Sequence, residues 1–315
     1  MKRTRIKQTK RPDAILTADL HLSESTPISR TDDYLEAQKK KLLFLQDLQK
    51  QHGCPVIDAG DIFNHWKPSP WLLERAFRYL PEDMITIPGN HDLPEHSMKQ
   101  YHKSGLFLLD VHSENVMVLH PNDEEDEFVG APPFGIYGFP YGEYEDRYEL
   151  QLPQNTERLV LILHEMVWPK GQQPWPGAEG YAAEQILKDN PNCDLIVTGH
   201  HHKAFVVQRE NQILVNPGPM MRISADKADY KPRCYLYFSD DNSVEAVFFP
   251  IESNVHDTSY IDQVKERNER LEAYIARMNM EWESGLSFQG NLEMFFKRNK
   301  TPKKVRELIY ENLEE

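Results

Sequence analysis

Five short, β-prone apolar runs in this chain each stop at a cluster of metal-ligating side chains, and that repetition constrains the fold most. Residues 14–18 run into Asp19-Leu20-His21, residues 55–59 into Gly60-Asp61, and residues 84–88 into Gly89-Asn90-His91-Asp92. Residues 159–163 end at His164, and residues 194–198 end at Gly199-His200-His201-His202. Apolar runs of this length read as buried strands. Amphipathic, helix-like stretches lie between several of them, at 34–50, 71–80 and 180–188. Alternating strand and helix signals predict an α/β fold, and ligands in such folds gather at the carboxyl ends of strands.

Residues 205–208, 213–216, 234–238 and 244–250 are strand-like, with turn signals inside each pair. They predict two β-hairpins that form a second sheet packed on the first. After Ser253 the pattern becomes helical, with a sparse apolar seam over 264–278. Thr301 reads as an N-cap with Pro302 at the first helical position, and Val305, Leu308, Ile309 and Leu313 share one face. The expected organisation is a basic tail over 1–12, a catalytic domain over 13–254 and a helical extension over 255–315. The tail reads as solvated or as a phosphate contact, and the acidic stretch 123–127 as a surface loop.

Composition excludes several classes. The 315 residues are 39% hydrophobic and 27% charged, as in folded globular chains. No apolar run reaches the roughly 18 residues of a membrane span, and the basic N-terminus leads into no signal-peptide core, so a cytoplasmic protein is expected. Cys54, Cys193 and Cys234 are far apart, which argues against a disulfide scaffold or a thiolate metal site. A net charge of −14 argues against bulk coating of nucleic acid but not against a local cleft.

The polar strand ends supply Asp19, His21, Asp61, Asn90, His164, His200 and His202. That many donors can enclose two cations if one carboxylate is shared, and Asp61 is the natural bridge. One cation would take Asp19, His21, Asp61 and His202, and the other Asp61, Asn90, His164 and His200. Imidazole and carboxylate without thiolate suit Mn, Fe or Zn and disfavour Ca or Mg. Two cations roughly 3.5–4 Å apart can clamp an in-line displacement at phosphorus. His91 could stabilise the developing charge or protonate the leaving oxygen, with Asp92 orienting its ring. Gly60, Gly89 and Gly199 precede donors, where the backbone must turn sharply or be approached closely. An isolated DxH or HxH says little; the ordered set, each member after an apolar run, carries the reading.

On these residues the chain resembles the calcineurin-like metallophosphoesterases. Within that superfamily it is most similar to the SbcD-like exonucleases, the nuclease subunit of double-strand-break repair complexes. The resemblance covers about residues 13–252. It includes Gly60-Asp61-Ile62-Phe63 with Lys67-Pro68-Ser69-Pro70, Gly89 to Asp92, Gly199 to His202, and Asn216-Pro217-Gly218. It implies a four-layer α/β/β/α sandwich with a short C-terminal helical extension. It also implies Mn-dependent exo- or endonucleolytic cleavage of DNA in recombination or repair, a homodimer, and an SbcC-like coiled-coil ATPase partner.

Two departures stand out. Many relatives carry a histidine three residues past the bridging aspartate; here Asn64 stands there with His65 beside it, and both are candidate substrate contacts. The capping domain of the family is reduced or absent. Arg222 could meet a phosphate or form a surface ion pair. The helices at 264–278 and 302–313 could pack on the core or dock on the ATPase. Two rival readings remain: the same centre acting on nucleotides, small phosphodiesters or phosphoproteins, and a DNA- or partner-binding scaffold with a vestigial metal site.

Overall fold

The computed structural model describes residues 10–119, 128–131, 133–145, 150–175, 177–224, 227–257 and 288–311. The chain divides into two compact units, Met1–His256 and Asp257–Glu315.

The short apolar runs pair in parallel because each is flanked by a helical crossover. β1 (Ala14–Thr17), β2 (Val56–Asp58), β3 (Met84–Thr86) and β4 (Val116–Val118) lie side by side in the first sheet. β13 (Arg233–Phe238) and β14 (Ser243–Phe248) form a hairpin whose first strand pairs antiparallel with β1. The order is β14-β13-β1-β2-β3-β4. The second sheet contains β5 (Phe128–Ala131), β6 (Phe134–Phe139), β7 (Arg158–Leu163), β10 (Leu195–Thr198), β11 (Phe205–Arg209) and β12 (Gln212–Asn216). Its order is β11-β12-β10-β7-β6-β5. β8 (Val167–Trp168) and β9 (Tyr181–Ala182) make a separate short pair.

The hairpins therefore correct one expectation. They do not form the second sheet between them; β11–β12 borders one sheet and β13–β14 the other. Which sheet a hairpin joins is decided by the strand its inner member pairs with, β10 for β12 and β1 for β13, and the turn inside the hairpin carries no record of that.

Alternation along the strands builds three apolar layers. Ile15, Val56 and Met84 pack against Leu42 and Leu45 of α1 (Tyr34–His52), Leu72 of α2 (Pro70–Tyr79) and Leu106 of α3 (Gly105–His112). Their sequence neighbours Leu16, Ile57 and Ile85 meet Ile136, Val160, Ile162 and Val197 between the sheets. Leu159, Leu161 and Ile196 face Ile186 and Leu187 of α4 (Ala183–Asp189). The result is an α/β/β/α sandwich. Fully burying one such side chain contributes about 1.5–3 kcal/mol before entropy is counted.

Local signals set the helix ends. Asp33 caps α1 by accepting the Glu36 N–H at 3.0 Å, and α1 stops at Gly53, φ 58°. Arg11 donates to the carbonyls of His52 (2.7 Å) and Gly53 (3.1 Å) at that end. Lys10 pairs with Asp241 and lies over the Phe238 ring. The inner end of the basic tail is thus spent on the fold, while residues 1–9 lie outside the described residues. Ser69 caps α2 with Pro70 in its first turn.

In the second unit, α5 (Phe288–Arg298) and α6 (Lys303–Glu311) bring Leu292, Phe295 and Phe296 against Ile309. The seam over 264–278 and the acidic stretch 123–127 lie outside the described residues. No helix among the described residues is long and apolar enough to cross a membrane.

Candidate metal centre

Each parallel strand that ends in a donor leaves its sheet through a tight turn, and the backbone records it. Gly60 has φ 89°, a conformation that only glycine adopts without cost. The donors Asp19 (φ 52°), His21 (45°), Asp61 (59°) and His200 (68°) also lie in the left-handed region. Such residues cost about 1 kcal/mol or more each and persist where surrounding bonds fix them. The Asp19 N–H donates to the Gly60 carbonyl at 3.0 Å, and the His21 N–H to the Asp61 carbonyl at 2.9 Å, tying the two turns together.

These turns bring the donors into two groups that share Asp61. Asp19, His21, Asp61 and His202 place one ligand atom each within 4.8 Å of one another, and so do Asp61, His164 and His200. His21 Nε2 stands 2.9 Å from His202 Nε2 and 3.7 Å from Asp61 Oδ2. Across the bridge, His164 Nε2 is 3.3 Å from Asp61 Oδ2. Asn90 joins this second group through Oδ1, which lies 3.1 Å from His164 Nε2 and 2.8 Å from His200 Nδ1. His91, His200 and His202 are half-buried and form the open side, whereas Asp19, His21, Asp61 and His164 are buried.

The arrangement fits divalent cations. Asp19 Oδ2 and His21 Nδ1 are buried without a hydrogen-bond partner, a costly state unless something positive or hydrogen-bonding completes the site. The His164 ring donates from Nδ1 to the Ala59 carbonyl at 2.6 Å, because a carbonyl can only accept; its Nε2 faces the donors. Burial pushes His21 and His200 down to about 3 and His202 down to about 4, so all three are neutral and can offer lone pairs. Burial lifts Asp19 to about 7. For Asp61 burial acts the same way, but the charge and hydrogen bond of His164, with the His21 and His91 rings alongside, override it and hold the carboxyl far below its usual range. For His164 burial opposes the proton, yet Asp61 and Asp19 lift the ring to about 10, so a cation bound at Nε2 would displace that proton.

His91 lies beside this group. Its backbone N–H donates to Asp61 Oδ1 at 2.8 Å, and its ring stands edge-on to His21 at 4.9 Å. Its Nδ1–H donates to the Asn64 carbonyl at 2.9 Å, which orients the ring and leaves Nε2 available. That corrects the role expected for Asp92. Asp92 turns inward and accepts the N–H groups of Gly89 (3.1 Å), Ile62 (3.2 Å) and Phe63 (3.0 Å). Burial, with the charge of Asp61 nearby, pushes Asp92 up to about 8. It fastens two donor-bearing loops together; the carbonyl of Asn64 orients His91.

The expected substrate contacts divide. Asn64 reaches the site through its carbonyl. His65 is exposed, stacks at 5.5 Å on Trp66 and accepts the Lys67 N–H at Nδ1. Arg222 is a correction: it is buried, and its guanidinium donates to the carbonyls of Ala228 and Glu252, both at 2.6 Å. Nη1 and Nη2 are taken by loop backbone, which residue identity cannot reveal, while Nε is buried without a partner. His201 donates from Nδ1 to the Val167 carbonyl, away from the donors. Tyr141, which the sequence did not single out, lies 5.3 Å from the His200 ring; no motif marks it.

Comparison with known proteins adds three findings. A family model described as calcineurin-like phosphoesterase matches residues 14–204. Among solved structures, an archaeal phosphodiesterase is 13% identical, with a TM-score of 0.40, covering 75% of this chain and 99% of that one. A Staphylococcus aureus protein named as a 5'-nucleotidase, solved with alpha-ketoglutarate, is 14% identical, with a TM-score of 0.48, covering 82% of this chain and 58% of that one.

Proposed function

Since the chain belongs to the calcineurin-like phosphoesterase family, we propose that it is a two-metal phosphodiesterase that cleaves DNA. The observation that carries the hydrolytic reading is the sharing of Asp61 between the two donor groups. Asp19, His21, Asp61 and His202 would hold one cation, and Asp61, Asn90, His164 and His200 the other. Mn is the cation proposed, with Fe or Zn as alternatives of compatible ligand chemistry. Bound there, the cations would supply charge neutralisation at the phosphoryl group and activation of the attacking water.

The chain's own residues then have distinct tasks. Asp61 keeps its charge, so both donor groups retain their shared anion. His21, His200 and His202 stay neutral and hold their rings as ligands. His91, fixed by the Asn64 carbonyl, carries a proton at Nε2 to the leaving oxygen when its ring is charged.

The DNA assignment is supported by the segment over residues 60–70. After Asp61 it passes Asn64, whose carbonyl holds His91, and exposes His65 and Lys67 beside Trp66. The Trp66 carbonyl accepts the Gly105 N–H at 2.7 Å, so this lip is fastened to the start of α3. A cation and rings beside a hydrolytic centre suit the phosphates and bases of a polynucleotide. The same proposal includes a homodimer and an SbcC-like ATPase, for which α5 and α6, exposing Met294 and Val305, are the candidate docking helices.

The net charge of −14 favours a second reading, hydrolysis of nucleotides or small phosphodiesters. One experiment separates them. Purified protein with Mn is given labelled single- and double-stranded DNA, with and without a candidate ATPase, and a nucleotide panel in parallel. DNA cleavage that disappears in Asp61→Ala and His91→Ala supports the proposal. Turnover of nucleotides alone would replace it with the second reading.

A further inference from the structure

A second buried carboxylate lies behind the donors and is not one of them. Asp58 ends β2 and is 0% exposed. Alternation puts it on the face that Val56 turns toward the helices, where apolar side chains otherwise fill the layer. Its register partner on β1 is Thr17, whose hydroxyl donates to Oδ2 at 2.8 Å. On the other side the Thr86 hydroxyl of β3 donates to Oδ1 at 2.8 Å, and the Gly60 N–H donates to the same oxygen at 2.9 Å.

This polar rung is expensive. A carboxyl and two hydroxyls stand where three apolar side chains would pack, and burial pushes Asp58 up to about 7 against its three donors. What the rung joins gives it a purpose. Thr17 lies two residues before Asp19, Asp58 three before Asp61, and Thr86 four before Asn90. The rung thus ties together the exits of the three adjacent strands that deliver these donors. Its bond to Gly60 closes on the turn in which Gly60 and Asp61 both have positive φ.

We propose that Asp58 is a positioning residue for the metal centre: it binds β1 and β3 through their threonine hydroxyls and holds the turn that presents Asp61 to both donor groups. The inference rests on the two-cation reading of the site. Asp58 touches neither substrate nor cation and acts through the Gly60 backbone.

The test uses the full chain, titrated with Mn by calorimetry, with the exchange-coupled Mn signal read by electron paramagnetic resonance. Folding is followed by circular dichroism, and kcat and KM by hydrolysis of bis-p-nitrophenyl phosphate. In Asp58→Ala the affinity for one of the two ions is expected to fall about tenfold or more. The coupled signal gives way to that of isolated Mn, and kcat drops about 100-fold while KM stays nearly unchanged. Asp58→Asn, which keeps an acceptor for Gly60 and Thr86, restores most of the lost affinity. Thr86→Val, close in shape and with no charge change, weakens binding several-fold and decides the matter if Asp58→Ala does not fold.

A folded Asp58→Ala that binds two Mn ions with wild-type affinity and an intact coupled signal overturns the proposal, even if its melting temperature is lower. So does unchanged Mn affinity in Thr86→Val when the alanine variant cannot be made. Wild-type protein that binds fewer than two ions instead defeats the two-cation reading. Wild type that binds both but leaves DNA intact defeats only the DNA assignment.

Discussion

Gly89→Ala is the most demanding test of the geometry around Asp61. Gly89 is extended, φ −87° and ψ 172°, so alanine adopts its backbone without strain. Glycine is needed there for room. A methyl group built on Gly89 falls 2.7 Å from Asp61 Cγ, and closer still to its Oδ1 and backbone nitrogen. Neither side yields easily. Asp61 Oδ1 accepts the His91 N–H at 2.8 Å, the Asp61 carbonyl accepts the His21 N–H at 2.9 Å, and Gly89 itself donates to Asp92 at 3.1 Å. Relief therefore moves the shared carboxylate. Overpacking of this kind costs about 1–3 kcal/mol, offset by about 0.4–1 kcal/mol from the stiffer unfolded chain. Displacing the reacting geometry by about 1 Å costs about 100-fold in rate, or about 2.7 kcal/mol. The expected variant melts only slightly lower, binds Mn more weakly and loses about two decades in kcat. Calorimetric titration with Mn and steady-state hydrolysis of a chromogenic phosphodiester check this. Gly89→Ala with wild-type Mn affinity and wild-type kcat would refute the assignment of Asp61 as the shared donor.

His91→Ala is expected to retain both Mn ions while kcat falls about 10²- to 10⁴-fold, read by metal analysis beside steady-state kinetics. Chelation lowers the melting temperature, and restoring free Mn to about 100 times its dissociation constant returns about 2.7 kcal/mol per site, read by thermal melts across a Mn series. Lys41 of α1 is buried, donates to the Met220 carbonyl at 2.7 Å, and is pushed down to about 7 by burial and by Arg30 and Arg222. The unfolded chain holds that proton up to the ordinary 10.5, so between about pH 7 and 10 wild type gains stability relative to Lys41→Met as pH rises. The slope is at most about 1.4 kcal/mol per pH unit, and denaturant midpoints at pH 7, 8 and 9 measure it; a constant difference would count against the buried, depressed lysine.

What could be read from the sequence was whatever is written locally. Apolar runs such as residues 159–163 mark strands by themselves, and polar residues at their ends mark donors. Ser69-Pro70 and Gly53 announce helix ends through the chemistry of a single turn. The sheet assignment of the two hairpins was not written that way. β13 pairs with β1, more than two hundred residues earlier, because both faces of each find apolar partners there. Stretch 180–188 read as one helix, yet Tyr181–Ala182 pairs with Val167–Trp168 and only Ala183–Asp189 is helical. The sequence also cannot show that Asp92 serves three backbone N–H groups, or that Arg222 donates to two loop carbonyls. Backbone groups have no residue identity, so contacts made to them leave no trace in a motif.

The same distinction explains why the centre is costly and still forms. Asp19, Asp58 and Asp92 are buried and pushed up to about 7, 7 and 8, while His21 and His200 are pushed down to about 3. Burial therefore drives most of these groups toward neutrality, while the adjacent pair Asp61 and His164 hold each other charged. A protein chosen for stability alone would fill these positions with apolar side chains. The turns are nevertheless over-determined: Asp92 binds Gly89, Ile62 and Phe63, Asp58 binds β1, β3 and Gly60, and Lys41 holds Met220, whose N–H in turn donates to the Asp19 carbonyl. These bonds hold the strand exits and turns that carry the donors, from the side away from the opening. That division lets Asp19, His21, Asp61 and His200 keep strained backbones, with Asp19 Oδ2 and His21 Nδ1 unpartnered, because the cohesion that holds them is supplied one layer behind, by groups that need no access to solvent or substrate.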